Sequence, residues 1–571
     1  MNTQLSQSII YTNKASCRDC YKCIRVCPVK AIKMKNGQAS IIEEKCILCG
    51  TCIKECPQNA KQYRRDTEKV KSLLRENELV AVSIAPSFSG IYSDKEIKRL
   101  PSVLRQLGFE IITETSVGAE ILSKQTNEMV LKSSTTVINS TCPAFVNYIE
   151  KYNDELIDNL LPLKSPALTH AIHLKEKYGD ETKIVFVSPC IAKKYEIERD
   201  ENLGLIDAAI TFEELSELFT EFKLDLMNCE ESDFDEISSK SSSLFPLIGG
   251  FSKSADLDTD IFSTKTLSVN GFDEVNNSIQ FLNEENHICF LDGLFCKDGC
   301  LNGPASNSSK NIYQKKFDLQ TYVESKPEIE STYNDNLFIS TSFTSKKVKE
   351  DFVSENEIKN IFERTGKYSP EDELNCSVCG YDNCREKAKA VVNGIAEIEM
   401  CLPYMRKRAE KRSDKIMESS PNGIVIINDK LEIVQMNPAF KKMFMCSDSL
   451  IGKRISYLID PEPFIKMITG EIDKLETKGE YRSYNLVCHQ IHYKLDKVNQ
   501  YAAVFVNITK SENDRVELQK LKSETIQKAQ ELFDHQVNLA QQLAKFIGES
   551  TAKGEEIVEN LIKLTEKQNP S

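Results

Sequence analysis

Between Leu79 and about Ser345, short unbroken apolar runs alternate with longer stretches whose apolar positions recur every three or four residues. The runs Leu79–Ala85, Thr136–Asn139, Lys183–Val187, Ala208–Ile210 and His287–Leu291 predict buried strands. Their alternation with amphipathic stretches predicts an α/β domain whose sheets are at least partly parallel. A helical stretch, Asp66–Asn77, precedes it. Residues 310–365 are polar and read as a lid or linker. Further on, a charge-dense helical stretch, Met405–Met417, leads into a strand–turn–strand pattern around Gly423–Asn428 and Leu431–Met436, and Val504–Ile508 reads as a last strand. The chain closes on Leu518, Leu521, Ile526, Leu532, Phe533, Val537, Ala540, Leu543 and Ile547 at helical spacing. That helix either packs on its own domain or serves as a dimer or partner surface.

The length of 571 residues allows roughly three to five domains. A net charge of −13 argues against nucleic acid, whose phosphates need a basic face. Neither a run of apolar residues long enough to span a bilayer nor a charged-then-apolar leader at Met1–Asn13 is present, so the expectation is a cytoplasmic protein without membrane contact.

Twenty cysteines change the picture most. In a reducing compartment, clustered cysteines read as metal ligands before disulfides, and the six scattered histidines favour thiolate-held iron–sulfur over most alternatives, with zinc the rival. Two runs stand at the front: Cys17-x2-Cys20-x2-Cys23-x3-Cys27-Pro28 and Cys46-x2-Cys49-x2-Cys52-x3-Cys56-Pro57. This is bacterial two-cluster ferredoxin spacing, in which the fourth cysteine of each run crosses to the other cluster. Cys17, Cys20, Cys23 and Cys56 are therefore expected on one [4Fe–4S] cluster, and Cys46, Cys49, Cys52 and Cys27 on the other. Three further sites follow predicted strands: Thr141-Cys142-Pro143, Ser188-Pro189-Cys190 with Lys193, and Leu294-Phe-Cys296-x3-Cys300. Strand C-terminal ends are where open α/β sheets place ligands.

These three segments, in this order after a two-cluster ferredoxin domain, resemble the signature segments of [FeFe]-hydrogenases; Leu163-Lys-Ser165-Pro166 and Gly108-Phe109…Gly118-Ala119-Glu120 are similar as well. The resemblance covers roughly residues 1–310. It implies that Cys142, Cys190, Cys296 and Cys300 bind the cubane of an H-cluster and that Cys300 bridges to a two-iron subsite with carbon monoxide, cyanide and dithiolate ligands. It also implies that Lys193 donates to an iron-bound cyanide and that Ser188, Pro189 and Leu294 line the cofactor. The sequence departs from the family at Thr141, where a proton-shuttling cysteine is usual, at Ser188 and Leu294 in place of methionines, at Ala167, and around Gln125 and Thr126 in place of an acidic pair. Threonine does not ionise near neutral pH, so these departures predict slow proton delivery rather than loss of the clusters.

Cys376-x2-Cys379-x4-Cys384 and Cys401, with Ala388, Ala390, Gly394 and Ala396 between, resemble a small four-cysteine Fe–S domain, expected to hold one more [4Fe–4S] cluster, with zinc as the rival. Asn437-Pro438-Ala439-Phe440 after two strands resembles a PAS domain, with Asn437 capping its first helix. Cys229, Cys289, Cys446 and Cys488 fall outside every motif.

The expected architecture is multidomain α/β and α+β: a ferredoxin-like domain (1–66), an α/β hydrogenase-like domain (67–345), a small helical Fe–S domain (366–405), a PAS domain (411–510) and a helical dimerisation or output segment (511–571). The resemblance implies a sensory protein that reacts slowly and reversibly with H2 and protons and relays its redox state to PAS as a homodimer. A ferredoxin-like redox partner and a downstream signalling protein are the expected contacts. The alternative is a redox-responsive iron–sulfur signalling or interaction protein lacking the two-iron subsite and H2 chemistry.

Overall fold

A computed structural model describes residues 8–566 apart from 261–263, 285–287, 307, 329–332, 334–336, 350–351 and 496–498. Expectations at residues 1–7, His287 and residues 567–571 lie outside the described residues. The chain divides into two units, Met1–Met405 and Arg406–Ser571.

The first unit opens with two short antiparallel pairs, Ile10–Thr12 with Lys61–Tyr63 and Ile32–Lys35 with Gln38–Ile41. Each cysteine run ends in a short helix, Lys22–Val26 and Thr51–Lys54. The two runs are built alike. Left-handed backbone falls at Asp19, Tyr21 and Lys30 in the first and at Leu48, Gly50 and Asn59 in the second, the matching positions. Successive residues of mixed hand turn peptide N–H groups inward, a concavity suited to anionic sulfur.

The α/β portion has two parallel sheets. One runs in the order Ile111–Glu114, Val80–Ile84, Lys183–Ser188, Ala208–Thr211; the other runs Thr266–Asn270, Phe290–Leu294, Val137–Ile138. Val80–Ile84 is buried throughout, the burial expected of a central strand covered on both faces. Helices Ser116–Lys132 and Pro166–Tyr178 pack against each other, and Gly118 permits the contact, since a Cβ there would lie 2.2 Å from the Pro166 carbonyl oxygen.

The predicted strands are present with shifted ends. Thr136–Asn139 shortens to Val137–Ile138, and the last strand is Phe290–Leu294 rather than His287–Leu291. The lid-or-linker reading of 310–365 is corrected. Asn311 caps a helix, Ile312–Ser325, whose Leu319 and Val323 are buried, and Leu337 and Ile339 enter the core beside Val117 and Ile121. The polar composition hid this because only one side of each segment is apolar.

Helices Glu355–Arg364 and Cys384–Val392 frame the third cysteine set, capped by Ser354 and Asn383. This portion sits directly on the ferredoxin-like portion. Met34 N–H donates to Ile395 O at 2.8 Å, Lys30 Nζ to Gly380 O at 2.9 Å, and Asn36 N–H to Glu397 Oε1 at 2.6 Å.

The second unit holds a five-stranded antiparallel sheet in the order Ile433–Met436, Gly423–Asn428, Gln500–Asn507, Leu486–Leu495, Lys474–Tyr481. Alternate residues of Gly423–Asn428 and Leu486–Leu495 point into the core, the period-two pattern of a half-covered sheet. Asn437 Oδ1 accepts from Phe440 N–H at 2.9 Å, capping the helix Pro438–Met443, and from Ile424 N–H at 2.8 Å, tying that cap to the first strand. The last strand begins at Gln500, four residues before the predicted Val504. A single helix of 58 residues, Thr509–Glu566, follows, and Leu518, Leu521, Ile526, Leu532, Phe533 and Val537 are exposed along it.

Candidate iron–sulfur and catalytic site

Cys142 follows strand Val137–Ile138, Cys190 follows Lys183–Ser188, and Cys296 and Cys300 follow Phe290–Leu294. The strands come from both sheets, and their C-terminal ends converge. All four cysteines line one cavity of about 790 Å³, together with Thr141, Ser188, Pro189, Lys193 and Leu294. Every residue expected at this site is therefore in the same cavity. Pro143 starts a helix directly after Cys142, where its missing N–H costs nothing.

Burial pushes all four thiols upward, Cys190 to about 12, and for Cys190, Cys296 and Cys300 the neighbouring cysteines add to the rise. Left as thiols they are inert. Held as thiolates, they need a compensating multivalent cation at their centre. Lys193 is a buried cation on the wall. Its Nζ donates to Glu196 Oε2 at 2.7 Å and Ser165 Oγ at 2.8 Å, with Thr141 O at 3.5 Å. Glu196 was not anticipated from the sequence, although its three-residue helical spacing from Lys193 is the signal that could have found it. Asp292 was missed too. It is buried, accepts from Asn139 Nδ2 at 2.7 Å and Ser252 Oγ at 2.8 Å, and burial raises its carboxyl above the usual range. Around the expected acidic-pair position, Thr126 Oγ1 donates to Leu122 O and Gln125 Nε2 to Leu337 O.

The ferredoxin-like portion abuts this cavity. Leu48 and Cys49 are on its wall, and helix Pro143–Tyr152 grips the second run, with Asn147 Nδ2 donating to Ile47 O and Lys151 Nζ to Cys46 O. Gly50 makes the approach possible: a Cβ there would meet Pro304 Cγ at 2.5 Å. Burial pushes Cys27 up to about 12 and Cys46 to about 11, and Cys49 adds to both. Cys27 thus stands with the second run. Cys56 lines a separate cavity of about 360 Å³ with Cys17, Cys20 and Cys23. The crossed grouping expected from the spacing is the grouping in space. Ala31 N–H points at Cys27 Sγ at 3.2 Å and Ala60 N–H at Cys56 Sγ at 3.3 Å, again at matched positions.

Cys376, Cys379, Cys384 and Cys401 line a third cavity of about 490 Å³, and Lys387 reaches into it. Burial lowers the Lys387 ammonium, against the pull of Cys401 and Cys379. Gly380, in left-handed conformation, lies where a Cβ would be 2.8 Å from Ile24 Cγ2, so this site is pressed against the helix carrying Cys23. Among the described residues no group of three or more His, Cys, Asp or Glu side chains is arranged to hold a single metal ion. Four cysteines around a void, backbone donors facing sulfur and a nearby lysine suit a cluster.

The fold and the four cysteine sets define an iron–sulfur protein with a hydrogenase-type α/β domain. Residues 9–71 match the 4Fe-4S dicluster domain, 78–304 the C-terminal domain of the iron only hydrogenase large subunit, 372–403 a putative Fe-S cluster domain and 421–510 the PAS domain. The chain therefore carries an iron-only hydrogenase domain between iron–sulfur domains, followed by PAS. It is 27% identical to iron hydrogenase 1 of Clostridium pasteurianum over 372 residues, covering 47% of this chain and 65% of that protein. It is also 27% identical to the cytosolic Fe-S cluster assembly factor NAR1 of Vanderwaltozyma polyspora over 226 residues, 36% of this chain and 42% of that one. The chain thus spans less than two thirds of the length of these relatives. A solved [FeFe]-hydrogenase of Chlamydomonas reinhardtii aligns over 50% of this chain and 100% of its own, with 17% identity and a TM-score of 0.42. No helix among the described residues is long and apolar enough to cross a membrane.

Proposed function

We propose that this protein is a low-turnover [FeFe]-hydrogenase used as a sensor in the cytoplasm, coupling H2 and the electron state H2 sets to its PAS domain. The observation that carries the reading is the single cavity shared by Cys142, Cys190, Cys296, Cys300 and Lys193 in a chain that also has PAS. An H-cluster with its two-iron subsite would be held there by Cys142, Cys190, Cys296 and Cys300 and would supply reversible cleavage of H2 into protons and electrons.

The chain's own residues do the rest. The four thiolates anchor, Lys193 presents an ammonium fixed by Glu196 and Ser165, and Leu294 and Pro189 keep water out. Thr141 offers the cavity a hydroxyl instead of an ionisable thiol, which suits a sensor that needs occupancy rather than flux. Cys49 on the cavity wall, the first-run set beyond it and the Cys376 set against helix Lys22–Val26 are the stations for electrons on the way out. An electron at the last station would bias a two-state arrangement of PAS and the long helix in a homodimer.

A second reading is a redox-responsive iron–sulfur protein without the two-iron subsite, favoured by the similarity to the NAR1 assembly factor. Infrared spectroscopy of protein made anaerobically with the hydrogenase maturation enzymes decides between them. Intrinsic carbonyl and cyanide bands that shift under H2 are expected, and Thr141→Cys should raise turnover by about tenfold or more. Full cubane content without those bands would leave only the second reading.

A further inference from the structure

Gln125 and Thr126 stand where the resemblance implies an acidic pair, and they donate to the backbone carbonyls of Leu337 and Leu122, so neither position supplies a carboxyl to carry protons. Ser83 is a polar residue in the otherwise apolar strand Val80–Ile84, fully buried. Its Oγ lies 2.7 Å from Thr115 Oγ1 on one side and 2.8 Å from His170 Nδ1 on the other. Thr115 is on the wall of the Cys142–Cys300 cavity. On the far side, His170 Nε2 has no hydrogen-bond partner among the described residues although the ring is fully buried, and it stands 3.8 Å from Glu236 Oε2. Glu236 in turn meets His173 Nε2 at 3.1 Å and Lys177 Nζ at 2.5 Å, and the Lys177 side chain is 46% exposed.

Resting on the hydrogenase reading, we propose that Thr115, Ser83, His170 and Glu236 form the proton route between that cavity and solvent at Lys177. Its members come from four separate elements of the fold, which is why no local motif announces it. His170, His173 and Lys177 share one face of helix Pro166–Tyr178, and the close approach at Gly118 sets that helix against helix Ser116–Lys132. The groups facing His170 are Glu236, His173 and, more distantly, Glu114, which is itself paired with Lys326. Burial keeps the His170 imidazole below its ordinary range, so it is neutral and has one nitrogen free to accept. His173 and Lys177 hold Glu236 well below the usual carboxylate range, against the opposing effect of its burial.

For H2 release, Glu236 takes a proton from solvent beside Lys177 and passes it to His170 Nε2. The Nδ1 proton then moves to Ser83 Oγ, the Ser83 hydroxyl proton to Thr115, and the Thr115 hydroxyl proton into the cavity. For H2 uptake each transfer runs in reverse. No electron travels this way, and closing the 3.8 Å gap takes a small side-chain movement or one water.

The test uses the full chain matured anaerobically, with Ser83→Ala, His170→Asn and Glu236→Gln. Asn at 170 keeps a donor toward Ser83 but has no second nitrogen facing Glu236. All three variants are expected to keep the carbonyl and cyanide bands and to lose about tenfold or more of H2 evolution, with a lowered unfolding temperature in Glu236→Gln alone, whose ion pairs are lost. A second readout is independent of rate. Infrared difference spectra between H2 and argon should show a shifted carboxylate stretch that Glu236→Gln removes. Bands present with rates within about twofold of the parent in Ser83→Ala and His170→Asn would overturn the route while leaving the hydrogenase reading intact. A loss confined to Glu196→Gln would overturn it in favour of the partner of Lys193. Absence of the bands in the parent would overturn both.

Discussion

Gly50 sits between two cysteines of the second run, and its replacement by alanine separates two costs that usually come together. Its backbone is left-handed, φ +74°, and a Cβ would come within 2.5 Å of Pro304 Cγ and 2.7 Å of Pro304 Cβ, just beyond Cys300. A left-handed non-glycine residue costs roughly 1–2 kcal/mol. Forcing a methyl into a packed contact costs roughly 1–3 kcal/mol more. Gly37 supplies the control, since its φ is +69° but the nearest atom to an added Cβ is Asp19 Oδ2 at 3.7 Å. Gly37→Ala should therefore show only the backbone cost, and Gly50→Ala should exceed it by the packing cost alone. Native-state proteolysis reads the population of the opened junction between the ferredoxin-like portion and the α/β portion when reclosing is fast. The difference corresponds to cleavage about 5- to 150-fold faster in Gly50→Ala than in Gly37→Ala. Equal rates would refute the argument that this contact seats Cys49 against the Cys142–Cys300 cavity.

His492, fully buried in the PAS core between Phe464 and Phe505, has neither ring nitrogen hydrogen-bonded among the described residues, and burial lowers its pKa from 6.5 to about 4. The folded ring stays neutral where the unfolded one takes a proton, so its contribution is intact above about pH 6.5 and is lost as pH falls toward about 4. That loss reaches about 3 kcal/mol, and His492→Phe should flatten it in thermal melts at about pH 7.5 and about pH 5. Arg199 grips the fully buried Glu150 with both terminal nitrogens, at 2.6 and 2.9 Å. Arg199→Ala strands that carboxylate and should cost about 3–5 kcal/mol, nearer the lower figure because Lys346 also pairs with it; a loss below about 1 kcal/mol in chemical denaturation would contradict this.

The order of domains was legible because each advertises itself locally. Ferredoxin spacing repeats with its prolines, buried strands are unbroken apolar runs, and Asn437-Pro438 marks a helix start after a hairpin. Strand ends were less legible, since the extent of Val137–Ile138 is set by its pairing with Phe290 and Leu291. The stretch after residue 310 was misread for a related reason. Its burial is decided by which side faces Leu301 or Val117, and composition does not record a side.

At the site the division is sharper. The cysteines were legible because thiolate ligation calls for a residue type that is rare elsewhere, so their spacing stands out, whereas Lys193 was legible only through the family resemblance of the segment that carries Cys190. Asp292, Glu236 and His170 are ordinary residue types, and each matters through a partner brought by the fold from elsewhere in the chain, whereas Glu196 pairs locally with Lys193. His170 shows the limit best. Fully buried, it reads as a core histidine, and only the 2.8 Å contact to Ser83 and the unpaired Nε2 facing Glu236 separate a relay from packing. Anchoring residues are constrained by their chemistry and so mark the sequence. Proton-moving residues are constrained by alignment across elements, so they emerge only once the sheet and helix Pro166–Tyr178 have been laid against each other.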